Sequence, residues 1–206
     1  VADTTLRGRQ REQARSAILD AAHARFLADG YVGTTIVDVA ADAGVAARTV
    51  YNHFETKAGL LLALINSRIG AGLGRSQDPT GSITSLRDAL ASAGESLRAV
   101  IQHALPLLRV ASEAAVIDEE VAERLAAQER FRYEDQGRFV EQLAERGLLR
   151  TDVSVDWLKR AYWLLAGPDA AIRALDAGWS VDDYVRWVAD SAIGLMAPHD
   201  ANGAKR

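Results

Sequence analysis

Apolar residues recur along this chain three and four positions apart, and no stretch alternates as a strand does, so the pattern predicts an all-α protein. Ala14, Ala17, Ile18, Ala21, Ala22 and Phe26 mark a first helix over about 11–29, with Gly30 as its stop. Thr35 is placed to cap a second helix, with Asp38 three positions on and Ile36, Val39, Ala40 and Ala43 along one face. Gly44 lets the backbone turn through a left-handed conformation, Val45 plugs the angle, and a third helix starts near Ala46. There Val50 and Phe54 share one face, while Arg48, Tyr51, Asn52 and Glu55 fall on another. Thr56 caps a fourth helix striped by Leu60, Leu61, Leu64, Ile65 and Ile69.

A loop at 77–82, with Pro79 and Gly81, separates these elements from a second run of helices, expected over roughly 83–104, 106–116, 118–146, 154–177 and 180–196. Pro106, Ile117-Asp118, Gly147 and Gly178-Trp179-Ser180 divide them, and Gly167-Pro168 should kink or split the helix it interrupts. The tail from Pro198 is polar and expected to fray.

Two short helices across a glycine turn, with the first helix covering their apolar faces, make a helix-turn-helix, whose second helix enters a major groove. Arginine suits guanine edges there and asparagine suits adenine edges, so Arg48 and Asn52 are the base-reading candidates. The Thr34-Thr35 pair, Ala43-Gly44-Val45, Thr49, Tyr51, His53, Phe54, Lys57 and Leu60 stand at spacings that resemble the tetracycline-repressor (TetR) family of bacterial transcription regulators. Ala46 stands where a serine is frequent in that family, at a cost of roughly 1 kcal/mol of capping, and Arg48 stands where many members have glycine. The closing pattern, LAERGLLR, an aromatic helix and GWSVDDYVRWVADSAIGLM, also resembles the family's C-terminal bodies.

That resemblance implies an N-terminal three-helix DNA-binding head in 1–56, and a linking helix with a helical-bundle body for ligand binding and dimerisation in 57–206. Residue chemistry and resemblance together assign phosphate contacts to Thr35, Tyr51, His53 and Lys57. They also imply a homodimer on a palindromic double-stranded DNA operator, because one short helix reads too few base pairs. The apolar stripe Val181, Tyr184, Val185, Val188, Ala192 and Leu195, with Trp187 nearby and Leu158, Tyr162 and Leu165 on the preceding helix, is the expected interface. An effector pocket is placed around His103, which at 100° per residue falls between Val110 and Leu107, with Tyr133, Phe139, Tyr162 and Trp163 as aromatic walls. A core histidine satisfied by a neighbouring side chain or carbonyl is the alternative for His103.

Composition changes this picture little. The 206 residues carry a net charge of −4, which argues against nonspecific coating of nucleic acid but says little about a small contact surface. Up to Leu60 seven basic residues balance seven acidic ones, so the body carries the deficit. Four arginines in the first fifteen residues form a modest basic arm that could touch phosphate or the minor groove, or simply be a solvated tail. There is no cysteine, no apolar run near the roughly 20 residues a membrane span needs, and no apolar signal-peptide core, so a cytoplasmic protein is expected.

Catalytic constellations do not emerge. His23, His53, His103 and His199 lie in separate elements without metal-ligand spacing, and no nucleophile elbow or phosphate loop occurs. Glu119-Glu120 reads as a solvated helix start. A non-enzymatic, ligand-responsive regulator without cofactor or metal is expected, with repression as the favoured sign. A transcriptional activator, or a helical adaptor lacking specific DNA binding, is the alternative.

Overall fold

The computed structural model describes residues 2–73 and 84–198, and every regular element among them is an α-helix. In chain order these are α1 (Ala2–Gly33), α2 (Ile36–Asp42), α3 (Ala47–Phe54), α4 (Lys57–Leu73), α5 (Leu86–Ala114), α6 (Glu119–Glu145), α7 (Val155–Leu165), α8 (Pro168–Asp176) and α9 (Val181–Met196). The loop expected at 77–82 and His199 lie outside the described residues, as does most of the expected tail. None of the described helices is long and apolar enough to cross a membrane.

Several boundaries follow from local chemistry. Thr35 caps α2 by accepting the Asp38 amide at 3.1 Å, and its hydroxyl donates to the Asp38 carboxylate at 2.6 Å, so aspartate at this position meets the hydroxyl and not the Thr35 amide that a full capping box would engage. Gly44, at φ 66°, ends α2 with the paired bonds of a Schellman turn, Val45 N to Ala40 O and Gly44 N to Ala41 O. Gly30 breaks the helical geometry of α1 at φ 67°, as its position predicts. Gly167-Pro168 splits α7 from α8. Two expectations shift: α1 is helical from Ala2, so the basic arm continues the first helix, and α5 passes through Pro106 without ending.

The chain divides into two compact units, and these cut it elsewhere than at 56/57. The first comprises residues 1–70 with 106–126; the second comprises 71–105 with 127–206. In the first, Ile18, Ala22 and Phe26 of α1 pack with Val39, Val50, Leu60 and Leu64, and the hairpin between α5 and α6 adds Leu107, Ala111, Ala114 and Val121 to the same core. In the second, Leu90 and Ile101 of α5, Val140 and Leu143 of α6, Leu158 of α7 and Tyr184, Val188 and Met196 of α9 are buried.

Helix α5 therefore serves two cores, and its buried face moves. Up to Leu105 the buried positions are Leu90, Ile101, Ala104 and Leu105; from Leu107 onward they are Leu107, Ala111 and Ala114, roughly a quarter turn away at 100° per residue. His103 is in phase with the second set but lies in the stretch governed by the first, so it is exposed. The expected pocket-facing His103 is thereby corrected: one apolar arc was extrapolated through a helix that changes partners.

Candidate nucleic-acid interface

The reading pair α2–α3 is held by named contacts. Val50 and Phe54 are the buried residues of α3, which leaves Arg48, Tyr51 and Asn52 exposed on its free side. The side chains of Arg48 and Asn52 make no hydrogen bond or ion pair among the described residues, so their donors and acceptors are available to a base edge. Ala46 caps α3 without any side-chain hydrogen bond, which matches the expected loss of a serine cap. Arg25 of α1 donates from Nε (2.6 Å) and Nη2 (3.1 Å) to Asp42 at the end of α2, a forked tie that fixes the approach of these helices.

On the α1 side of α3, the Arg15 guanidinium lies 5.0 Å from the centre of the Phe54 ring. Burial holds the His53 imidazole below its ordinary pKa, and the positive charges of Arg11 and Arg15 add to that. The half-buried His53 thus stands in a basic neighbourhood to which α1 contributes. This gives the basic arm a structural place for Arg11 and Arg15.

The junction from α3 to α4 is tight. Glu55 adopts φ 65° and ψ −50°, and Thr56 N donates to Phe54 O at 2.7 Å, the geometry of a γ-turn of the rare, strained hand. Thr56 Oγ1 accepts the Gly59 amide at 2.9 Å, confirming the expected cap. Gly59 packs against the end of α3 so closely that a Cβ there would lie 2.2 Å from Phe54 O. The importance of Gly59 was not read from sequence; a glycine in the first turn of an otherwise leucine-rich helix was the signal.

Lys57 departs from its expected role. Its ammonium donates to Tyr31 O (2.8 Å) and Thr34 O (3.2 Å) and sits 4.1 Å from the centre of the Tyr31 ring. Burial pushes its pKa down. A cation at the first turn of α4, unfavourable for that helix's own dipole, is explained by carbonyls at the end of α1 rather than by an exposed phosphate site. Tyr31, stacked on Phe26 at 6.1 Å, also donates its hydroxyl to Asp118 Oδ2 at 2.5 Å. Burial and that bond raise the Tyr31 pKa, while the same hydroxyl is the main cause of the lowered Asp118 pKa. Thr56 Oγ1 donates to Glu120 Oε1 at 2.9 Å, so Glu120 is not merely a solvated helix start. Residues 118 and 120 were legible only as a helix boundary, because their partners lie 87 and 64 positions away.

Residues 18–64 match the family model described as bacterial regulatory proteins, tetR family. The helix-turn-helix segment of this chain is thus of the tetR type. The chain is similar to the HTH-type transcriptional repressor KstR2 of Mycobacterium tuberculosis, 28% identical over 155 residues that cover 71% of this chain and 74% of the relative. Its fold resembles that of a tetR-family regulator from Rhodococcus sp., with a TM-score of 0.73 and 21% identity over 90% of this chain and 100% of the other. It also resembles that of a regulator from Saccharomonospora viridis crystallised with choline, with a TM-score of 0.69 and 20% identity over 90% and 98% of the two chains. The matched segment contains every residue of the reading pair.

Body residues singled out from the sequence fall into three groups. Leu158, Tyr162, Tyr184, Val185 and Val188 are buried within one chain, and Leu165, Val181 and Leu195 are half-buried, so the expected dimer stripe is mostly core. Tyr184 shows why: its hydroxyl donates to Leu165 O (2.8 Å) and Gly167 O (3.3 Å), carbonyls at the α7–α8 break, and burial pushes its pKa up to about 12. Burial likewise raises Tyr162 to about 12, and its ring packs 5.7 Å from Phe139. Tyr133 and Trp163, in edge contact at 5.9 Å, do line a cleft of about 510 Å³ together with Glu129, Arg130, Glu134, Arg160 and Leu164. Of the five expected pocket residues these two line the cleft, while Phe139 and Tyr162 pair with each other. The large apolar groups left exposed on α7 and α9 are Val155, Trp157, Leu164 and Trp187.

Proposed function

We propose that this protein is a ligand-responsive, sequence-specific DNA-binding transcriptional repressor that acts as a homodimer and not as an enzyme. The observation that carries this is the presentation of Arg48 and Asn52, exposed and unengaged, on a short helix fixed from behind by Val50 and Phe54. Arginine and asparagine on such a helix discriminate guanine and adenine edges. Tyr51, Thr35 and His53 flank them as groups able to hold phosphates. Repression as the sign is supported by the name of the mycobacterial relative.

A single α3 reads few base pairs, so two copies on a palindrome are required for useful specificity. Trp157 and Leu164 on α7, with Trp187 on α9, offer the exposed apolar surface for that pairing. The cleft at Tyr133 and Trp163 falls within the 300–1,000 Å³ typical of small-molecule sites, and a fold relative holds choline. We assign it to a small-molecule effector that weakens DNA binding.

Selection of bound duplexes from genomic fragments, followed by affinity titration at several salt concentrations, tests the central claim. A selected duplex should bind at least a thousandfold more tightly than random DNA, with affinity falling steeply as salt rises. Equal affinity for all duplexes would reject the regulator and favour a helical adaptor.

A further inference from the structure

Helices of seven and eight residues do not fix their own relative angle; the segments that bracket them do. Tyr31 to Thr34 immediately precede the cap of α2, and Thr56 and Lys57 follow α3 after the single residue Glu55. The Lys57 ammonium joins these two ends directly through the Tyr31 and Thr34 carbonyls, which encloses the reading pair in a ring closed by one side chain. The start of α6 then grips both ends of the ring. Asp118 holds the Tyr31 hydroxyl, and Glu120, two residues on, holds the Thr56 hydroxyl.

The Asp118 carboxylate is divided between two tasks. Oδ2 accepts from Tyr31 at 2.5 Å, while Oδ1 accepts the Val121 amide at 3.2 Å and so caps α6. A shift of α6 relative to the end of α1 must therefore break either the cap or the tie. Tyr31 is similarly divided: its ring stacks on Phe26 and carries the ammonium, its carbonyl accepts from Lys57, and its hydroxyl reaches Asp118.

We propose that Tyr31, Thr56, Lys57, Asp118 and Glu120 form a positioning clamp, through which the tip of the α5–α6 hairpin sets the pose in which α3 presents Arg48 and Asn52. None of the five needs to touch DNA for this, and the proposal rests on the DNA-reading function above. The clamp accounts for the inward turn of Lys57 and for Glu120 holding the Thr56 hydroxyl as well as the Arg124 guanidinium, and all five residues lie in the compact unit that holds both hairpin and reading pair.

Two variants isolate one tie. Tyr31→Phe keeps the ring on Phe26 and beneath the ammonium and removes only the hydroxyl. Asp118→Ser keeps a residue that caps α6 and removes the carboxylate. The full chain, each single variant and the double variant are titrated against the selected duplex and a random duplex, and their thermal midpoints and the amide exchange of residues 36–54 are measured. Each single variant should weaken the selected duplex by roughly tenfold, within the range usual for coupled sites, with a smaller loss on random DNA and an unmoved thermal midpoint. The double variant should be no worse than the weaker single, because both remove the same bond. Amide exchange across α3 should quicken in the free protein. Affinity within twofold of the parent, additive losses, or losses that track the thermal midpoint would overturn the clamp. A parent that binds all duplexes alike would instead reject the DNA-reading function; the exchange measurement then decides the clamp alone, unchanged exchange across α3 refuting it and faster exchange upholding the tie.

Discussion

Helix α3 and helices α7 and α9 carry similar amphipathic patterns, yet they use them in opposite senses. In α3 only Val50 and Phe54 turn inward, and the residues with recognition chemistry remain outside. In α7 and α9 the long apolar stripe, Leu158, Tyr162, Tyr184, Val185 and Val188, is consumed by the chain's own core, and what remains outside is a sparser set, Val155, Trp157, Leu164 and Trp187. A short helix backed by two neighbours has one face to bury, so its other face is legible from spacing. A helix in a layered body can bury two, and the stripe alone does not say which one meets a partner.

The largest effect expected from this contrast separates adjacent residues of α7. Leu158→Ala empties a fully buried site and should destabilise the chain by ~2–5 kcal/mol. Trp157→Ser, one residue away and about half exposed, should leave unfolding of the chain nearly unchanged while moving the mass in solution toward monomer. Chemical denaturation and sedimentation of both variants check this, and a Trp157→Ser protein that stays dimeric would remove α7 from the interface.

Gly59→Ala comes next, at ~1–3 kcal/mol for an overpacked contact, because its Cβ would meet a backbone carbonyl that cannot swing aside. Gly8→Ala, with open space around its Cβ, is the matched control and should be neutral or slightly stabilising in thermal melts. On the recognition side, Arg48→Ala should lose ~1–3 kcal/mol on the selected duplex and relax discrimination at one base. Lys57→Ala should instead lower thermal stability and leave the salt slope of DNA binding unchanged, since its ammonium is already committed to carbonyls.

The smallest effect concerns pH. The folded His53 pKa lies below its unfolded value, so its contribution to stability is complete above about pH 6.5 and is lost as pH falls through that value toward the folded pKa. A phosphate beside the ring favours the protonated form, so DNA affinity should rise as stability falls over the same interval. His53→Gln should flatten both trends in parallel titrations between pH 5 and 8, and an unaltered pH profile of binding would place His53 away from phosphate.

What could be read from the sequence was whatever depends on neighbours in the chain. The Thr35 cap, the Gly44 turn, the Thr56 cap and the Gly167-Pro168 break are all set by residues within five positions of each other, and all appear as expected. Exposure of Arg48 and Asn52 followed from the phase of an eight-residue helix. His103 was misplaced because α5 changes its buried face near Pro106, which no single period can express. Lys57 was misread because the carbonyls that bind it lie 26 and 23 residues earlier, beyond what residue chemistry and family resemblance at position 57 can express.

The sharing of α5 and α6 between two units limits how this protein can be recombined with others. A chimera spliced once, after residue 56 or residue 70, would carry off the reading helices without Leu107, Ala111, Ala114 and Val121, which complete their core. Such a graft would also strip Tyr31 and Thr56 of Asp118 and Glu120. Exchange of DNA specificity between relatives therefore calls for a second splice that transplants residues 106–126 along with the head, or for substitution of the exposed face of α3 alone.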